Sequence, residues 1–260
     1  MAPVKKTIEF TTNNAKAFTG WLKRFASIDT SLLLEIDEKT SNFIAKTYNN
    51  ERSVVKMSSI SFVDAGLTVQ KSTNPKRIKA GIYNILRLNK IIDQFNDIEF
   101  TMTVTYNDII SGEVTQYAAE NILLKSKNLK MNVDCTSLEI FKNISDDRFI
   151  NEIAKVDTLL GTFELTKANL EKINSLCTLD NEYKYMDFKI EDNNVFVSGK
   201  TFEFTICETT SAATSTKVHK EQYGNVDIEN YNVELGEEKI VFKSKDSDTI
   251  CVISKATDED

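Results

Sequence analysis

The chain has 260 residues, 41% of them apolar, and a formal net charge of -7. That is enough apolar material for a core in one large or two modest domains, which excludes a disordered chain. The acidic balance excludes a surface that is basic all over but allows a local basic face, and no apolar run reaches the roughly 18 residues a membrane helix needs.

The start, "MAPVKKTIEF", has no apolar signal core. The expected location is therefore the cytoplasm, that of the host cell if the source is viral. Strand-like runs follow at Lys6–Phe10, Ser31–Ile36, Asn42–Thr47 and Ser53–Ser61, rich in Val, Ile, Thr, Phe and Tyr. Between the first two lies a helical stretch, Asn13–Ile28. Phe18, Trp21, Leu22, Phe25 and Ala26 there fall at i, i+3, i+4, i+7 and i+8, one apolar stripe. A second stripe, Ile85, Leu88, Ile91, Ile92 and Phe95, predicts a helix over Ile85–Phe95. Strands are predicted next at Ile98–Tyr106, Gly112–Ala118 and Asn121–Leu124. The stretch from Cys135 to Leu160 has weak periodicity and an acidic pair, Asp146 and Asp147, at its middle. It reads as a connector or as an extra helix of the first domain.

The third stripe, Leu170, Ile173 and Cys177, predicts a helix over Thr166–Cys177 with Thr166 as N-cap. Strands follow at Lys184–Ile190, Asn194–Ser198, Glu203–Cys207, Lys239–Lys243 and Thr249–Ser254. "EDNNVFV" predicts a hairpin, with Asn193 and Asn194 able to take positive φ. "IEFTTNNAKAFTGWLKRF" and "TFELTKANLEKINSL" share the order strand, helix, strands at an offset of roughly 155 residues. This points to an α+β chain of two similar β-rich domains, each with short helices. The expected bounds are 1–136 for the first domain, 137–160 for the connector and 161–260 for the second.

The outer helix faces are basic. Lys16, Gly20, Lys23 and Ser27 lie opposite the first stripe with Arg24 beside them, and no acid occurs between Asn13 and Ile28. The second helix turns out Lys90, Arg87 and Gln94, with Asp93 among them. The third turns out Lys172, with Ser175 and Glu171. Such faces are either ordinary solvated cover or a seat for a polyanion backbone. Nothing in them has base-reading geometry, so nucleic-acid binding would be independent of sequence.

Searches for catalytic motifs find none: no P-loop, dinucleotide fingerprint, zinc-protease helix or nucleophile elbow. His219, the only histidine, sits in polar "TSTKVHKEQ" and reads as a loop residue. Cys135, Cys177, Cys207 and Cys251 are 42, 30 and 44 residues apart, too dispersed for a zinc site, and read as reduced and mostly buried thiols. No metal or cofactor is expected, and the chain reads as a non-enzyme. Asn143-Ile144-Ser145 matches a glycosylation acceptor by chance if the protein is not secreted.

"FTGWLKRFASIDTSLLLEIDEKTSNFIAKTYNNERSVVKMSSI", "AGIYNILRLNKIIDQFNDIEF", "GTFELTKANLEKINSLCTL" and "DTICVISKATDED" together resemble the DNA sliding clamps of T-even-type bacteriophages. In length and order the chain is more distantly similar to proliferating cell nuclear antigen. The resemblance implies a processivity factor: a homotrimeric ring of six domains that encircles duplex DNA, tethers a DNA polymerase and is loaded by a clamp-loader ATPase. By position, Lys16, Lys23, Arg24, Arg87, Lys90, Lys167 and Lys172 would face the phosphates. Partner peptides would dock against Leu138, Ile140, Phe141 and Ile144 of the connector with Ile250 and Val252; Phe141 reads equally as a plug between the domains. A fourth helix would lie near Gln222–Leu235, where "QYGNVDIENYNVEL" has no basic residue, so it is short and acidic or the hole is less positive there. Leu86 also projects outward, which a DNA-facing wall does not require. Two other functions compete: a β-rich structural protein of a virion, and a single-strand binding factor. The second would want aromatics on a basic groove, whereas Trp21 and Phe25 lie on the apolar stripe.

Overall fold

The computed structural model describes residues 6–73, 77–95, 98–111, 114–144, 151–180 and 183–256. Gly112, Ser145, Asp146 and Asp147, named above, lie outside the described residues. The chain forms two compact units. The first comprises Met1–Thr47 and Ser58–Asp147, the second Tyr48–Met57 and Arg148–Asp260.

The first unit opens with β1 (Lys6–Thr12) and α1 (Lys16–Lys23), then β2 (Leu32–Asp37), β3 (Asn42–Tyr48) and β4 (Val54–Ser61), whose first residues belong to the second unit. It continues with β5 (Thr68–Ser72), β6 (Ile78–Ile82), α2 (Ile85–Asp93), β7 (Phe100–Ser111), β8 (Val114–Lys125) and β9 (Lys130–Asp134). Strand order runs β3, β2, β6, β8, β7, β1, β5, with β9 on β8. Every pairing with a given register in this unit is antiparallel except β6 with β8, a short parallel contact of Ile78 with Tyr117 and Lys79 with Ala118.

Both predicted helix stripes face the core. Phe18, Trp21, Leu22 and Phe25 are buried, as are Ile85, Leu88, Ile91, Ile92 and Phe95; Ala26 is half-buried. Phe43 on β3 has the rings of Phe18 and Phe62 within 4.8 and 4.7 Å, so aromatic surface joins α1 to the sheet. The Trp21 indole N–H donates to Ser58 Oγ at 3.1 Å, which satisfies the one polar atom that its burial would strand. The unit is itself a repeat. Asn14, Phe18, Leu22 and Phe25 are matched 70 positions on by Asn84, Leu88, Ile92 and Phe95. Asn84 is the N-cap of α2, its Oδ1 accepting from the Arg87 amide, whereas Asn14 stands one residue before Ala15, the N-cap of α1, and its Oδ1 accepts from the Lys16 amide.

The second unit contains β10 (Leu159–Leu165), α3 (Lys167–Leu179), β11 (Tyr185–Glu191), β12 (Asn194–Ser198), β13 (Glu203–Glu208) and β14 (Thr214–His219). After these come α4 (Lys220–Tyr223), β15 (Tyr231–Gly236), β16 (Lys239–Ser244) and β17 (Ile250–Ser254). One sheet orders β10, β15, β16, β17 and the start of β4; the other orders β13, β12, β11, β14. Thr166 caps α3 as its position predicted, accepting from the Asn169 amide at 3.2 Å.

Several elements differ from the sequence expectation. The hairpin turn sits one residue earlier, with positive φ at Asp192 and Asn193 (48° and 63°) and Glu191 paired to Asn194. A two-residue loop of this kind needs positive φ at both central residues, and Asp tolerates it nearly as well as Asn. The fourth helix is a single turn, Lys220–Tyr223, because turns follow it and the second half of the expected stretch, from Tyr231, is a strand. Tyr231, Val233 and Leu235 are buried on β15 while Asn232 is exposed, a period of two. His219 ends β14 rather than lying in a loop, and its ring packs 4.7 Å from that of Tyr185. Of the four free cysteines only Cys251 is fully buried; the other three are half-buried.

Candidate nucleic-acid interface

The stripes that bury one side of α1 and α2 turn the other side outward. Lys16, Gly20, Lys23, Arg24 and Ser27 are exposed, as are Leu86, Arg87, Lys90 and Gln94. A Cβ built on Gly20 would meet nothing within 4 Å, so α1 presents an open surface at its middle. The two helices pack together, and Lys23 Nζ lies 3.6 Å from Asp93 Oδ2 across them. Leu86 is 45% exposed, an outward aliphatic side chain on an otherwise polar face.

On α3, Lys167 and Lys172 are also exposed. The Lys167 amide donates to Asn230 Oδ1 at 3.0 Å, and Asn230 holds Asp246 through its own amide at 2.8 Å. Hydrogen bonds from Asn230, then the charge of Lys167, keep the Asp246 carboxyl below its usual range. The lone cation of α4, Lys220, donates to Asp180 Oδ2 at 2.9 Å and to the Asp180 carbonyl at 2.6 Å. The bond to Oδ2 is the main cause of a lowered Asp180 pKa. Sequence reasoning missed Asp180, Lys220 and Asp246; Asp180 and Lys220 lie 40 residues apart with no local signal to join them.

The docking residues fall in two places. Leu138 to Phe141 form a single 3-10 turn of the first unit, capped by Ser137 Oγ accepting from the Glu139 amide at 3.3 Å. Phe141 and Ile144 are buried, Leu138 is half-buried, and Ile140 is 48% exposed. Phe141 lies over β6 at Gly81, where a Cβ would stand 2.9 Å from its Cε2. Ile250 and Val252 lie on β17, half-buried and buried, opposite Met57 and Val55 of β4.

None of the four cysteines is an activated thiol. Burial pushes the Cys135 and Cys251 thiols up to about 12, and burial also raises those of Cys177 and Cys207. Among the described residues no three His, Cys, Asp or Glu side chains are grouped to hold a metal, and no helix is long and apolar enough to cross a membrane.

The arrangement is the DNA-clamp fold: β-rich units whose short helices pack one face on the sheets. The proliferating cellular nuclear antigen of Entamoeba histolytica superposes with a TM-score of 0.58 at 12% identity, over 96% of this chain and 98% of that one. That of A. fulgidus, solved with the C-terminal region of FEN-1, gives 0.60 at 8% identity over 96% and 97%. The Helicobacter pylori beta clamp, solved with a DNA ligase peptide, gives 0.65 at 11% identity over 99% of this chain and 68% of that one. The chain spans about two thirds, 65–68%, of the bacterial clamp subunits it matches. No family model matches the sequence, and no curated protein does.

Proposed function

We propose that this chain is a DNA sliding clamp, a non-enzymatic processivity factor of the kind found in T-even-type bacteriophages. Three copies would close a ring of six domains around duplex DNA, with bounds 1–136 and 161–260 about a connector at 137–160. The observation that carries this reading is the pairing of the fold with the charge. The chain spans nearly the whole length of two-domain clamp subunits. Its α1 and α2 also turn Lys16, Lys23, Arg24, Arg87 and Lys90 outward on an acidic protein. Lys and Arg on such a face suit phosphates without reading bases. Lys167 and Lys172 would extend the same wall.

Ring closure needs strand edges. β9 pairs only with β8, and β13 only with β12, among the described residues. Each alternates exposed polar with half-buried apolar residues: Met131 and Val133 on β9, Phe204 and Ile206 on β13. Two such edges from neighbouring copies would complete each other. Polymerase and loader ATPase would bind through short peptides, for which the expected residues are Leu138, Ile140, Phe141 and Ile144 of the connector and Ile250 and Val252 of the last strand.

The test combines mass and topology. Light scattering over a concentration series should give three chains per particle. With a clamp-loader ATPase, the protein should stay on nicked circular DNA and be lost when that DNA is linearised. It should also raise the product length of a DNA polymerase. A monomer at every concentration, with no difference between circular and linear DNA, sinks the proposal.

A further inference from the structure

We infer that the outward face of α2 also holds unpaired nucleotides, with Tyr83 as the platform on which a base stacks and Arg87 and Lys90 on the phosphates beside it. The inference rests on the nucleic-acid reading above and adds a second ligand to it, single-stranded DNA of the kind found where a duplex ends. Tyr83 is 71% exposed and stands immediately before Asn84, the N-cap of α2. Leu86, 45% exposed, continues the same face, followed by exposed Arg87, Lys90 and Gln94. At the rise of an α-helix, Arg87 and Lys90 lie about 5 and 9 Å along the axis from the N-cap. An aromatic ring and two cations therefore follow one another along one line of the surface.

Packing within the first unit does not account for Tyr83. An apolar residue before an N-cap often folds over the fourth helical residue, here Leu88, as a hydrophobic staple. A stapled ring would be covered, and Tyr83 is not. The internal repeat makes an independent comparison. At the matching start of α1, 70 positions earlier, Asn13 and Lys16 stand in place of Tyr83 and Leu86, and all four are exposed. A helix of this kind thus starts without an aromatic, so the exposed ring is particular to α2. The other aromatics on the two helices and their ends, Phe18, Trp21, Phe25 and Phe95, are buried. Charge selects the occupant. α2 has no acid in its first turn, and its one acid, Asp93, lies at the far end, where Oδ2 is 3.6 Å from Lys23 Nζ. A face of aromatic and cation without acid suits a polyanion that also offers flat rings. A duplex keeps its base faces inside the stack, whereas a single strand exposes them, and stacking is indifferent to which base is met.

The experiment uses full-length protein with a short fluorescent oligothymidylate and, in parallel, a blunt-ended duplex, following anisotropy over a potassium chloride series. Tyr83→Ala should weaken oligothymidylate binding roughly tenfold. It should leave the slope of log affinity against log salt unchanged, because a stacked ring carries no charge, and leave duplex affinity within measurement error. Tyr83→Trp should keep the single-strand affinity. Tyr83→Leu, apolar but without a π face, should lose as much as Tyr83→Ala. Arg87→Ala should instead flatten the single-strand salt slope by about 0.7, the loss of one phosphate contact. Tyr83 is exposed, so these variants leave the core intact, and circular dichroism checks that they do. Full affinity in Tyr83→Leu would make the residue an apolar contact for a protein segment and overturn the inference, as would equal losses on single strand and duplex. A protein retained on nicked circular DNA that ignores oligothymidylate overturns the inference and leaves the clamp reading standing. A protein that binds oligothymidylate through Tyr83 but is not retained on circular DNA supports the inference and overturns the clamp reading.

Discussion

Phe141 lies against Gly81, its Cε2 only 2.9 Å from where a Cβ on that glycine would stand. The packing is reinforced by the chain before it, since the Thr136 amide donates to the Gly81 carbonyl at 2.8 Å. The apolar residues of "SLEIFKNI" therefore divide by burial. Phe141 and Ile144 are covered, and Ile140 faces out. Phe141→Ala should cost roughly 3–5 kcal/mol, as for other buried aromatic truncations. Gly81→Ala should cost about 1–3 kcal/mol, because backbone at Thr136 must give way as well as the ring. Thermal melts check both. Melting unchanged in Phe141→Ala, with peptide binding abolished, would return the residue to a docking surface.

A second test concerns charge inside the first unit. Lys46 Nζ donates to Glu35 Oε1 at 3.0 Å, with both side chains at most 1% exposed. Burial raises the Glu35 pKa, and the charge of Lys46 opposes that rise. Lys46→Met removes the main compensating cation and should cost about 3–5 kcal/mol; Lys46→Met with Glu35→Leu should recover most of it. Urea titrations of the single and double variants decide, and a double variant no better than the single would show that the pair is not the unit that matters.

Acid stability follows from Asp180 and Asp246, both with lowered pKa. A depressed carboxyl contributes stability above its unfolded pKa, about 3.9 for Asp, and that contribution is lost as pH falls through the folded value. The expected result is an acid limb starting below about pH 4. Asp180→Asn and Asp246→Asn should each make melting temperature less dependent on pH in that window. An unchanged limb in both variants would locate the acid sensitivity elsewhere.

The helices were legible because their apolar spacing is local. Phe18, Leu22 and Phe25 are buried where the stripe put them, and Thr166 sits one residue before α3 with its oxygen on the Asn169 amide. Several strands were not. β5 reads "TVQKS" and β9 "KMNVD", five residues each, too short and polar to show alternation against the loops around them. β15 does alternate, but its position relative to the resembled family suggested a helix and hid the period. The charge balance of the second unit was invisible for a different reason. Lys220 with Asp180, and Lys245 with Glu164, are joined over 40 and 81 residues by the fold alone. Outward cations on α1 could be counted from sequence; whether a cation is already spoken for could not.

The edge of β9 gives the sharpest test of assembly. Cys135 donates its amide to Glu120, and Ser126 donates to Leu129, on either side of the β8–β9 ladder. Antiparallel bonds alternate, so Met131 and Val133 belong to the bonded pairs with Leu124 and Ile122. The amide of Asn132 then points away from β8, toward the open edge. Proline there removes a donor that the sheet does not use, and proline is tolerated on edge strands for that reason. If three copies close by pairing this edge with β13, Asn132→Pro should shift the light-scattering mass from three chains to one. The melting temperature should fall only by what the interface supplied, and become independent of concentration. Retention on circular DNA should vanish with the trimer. An Asn132→Pro protein that stays trimeric would show that the ring, if it forms, does not close through β9.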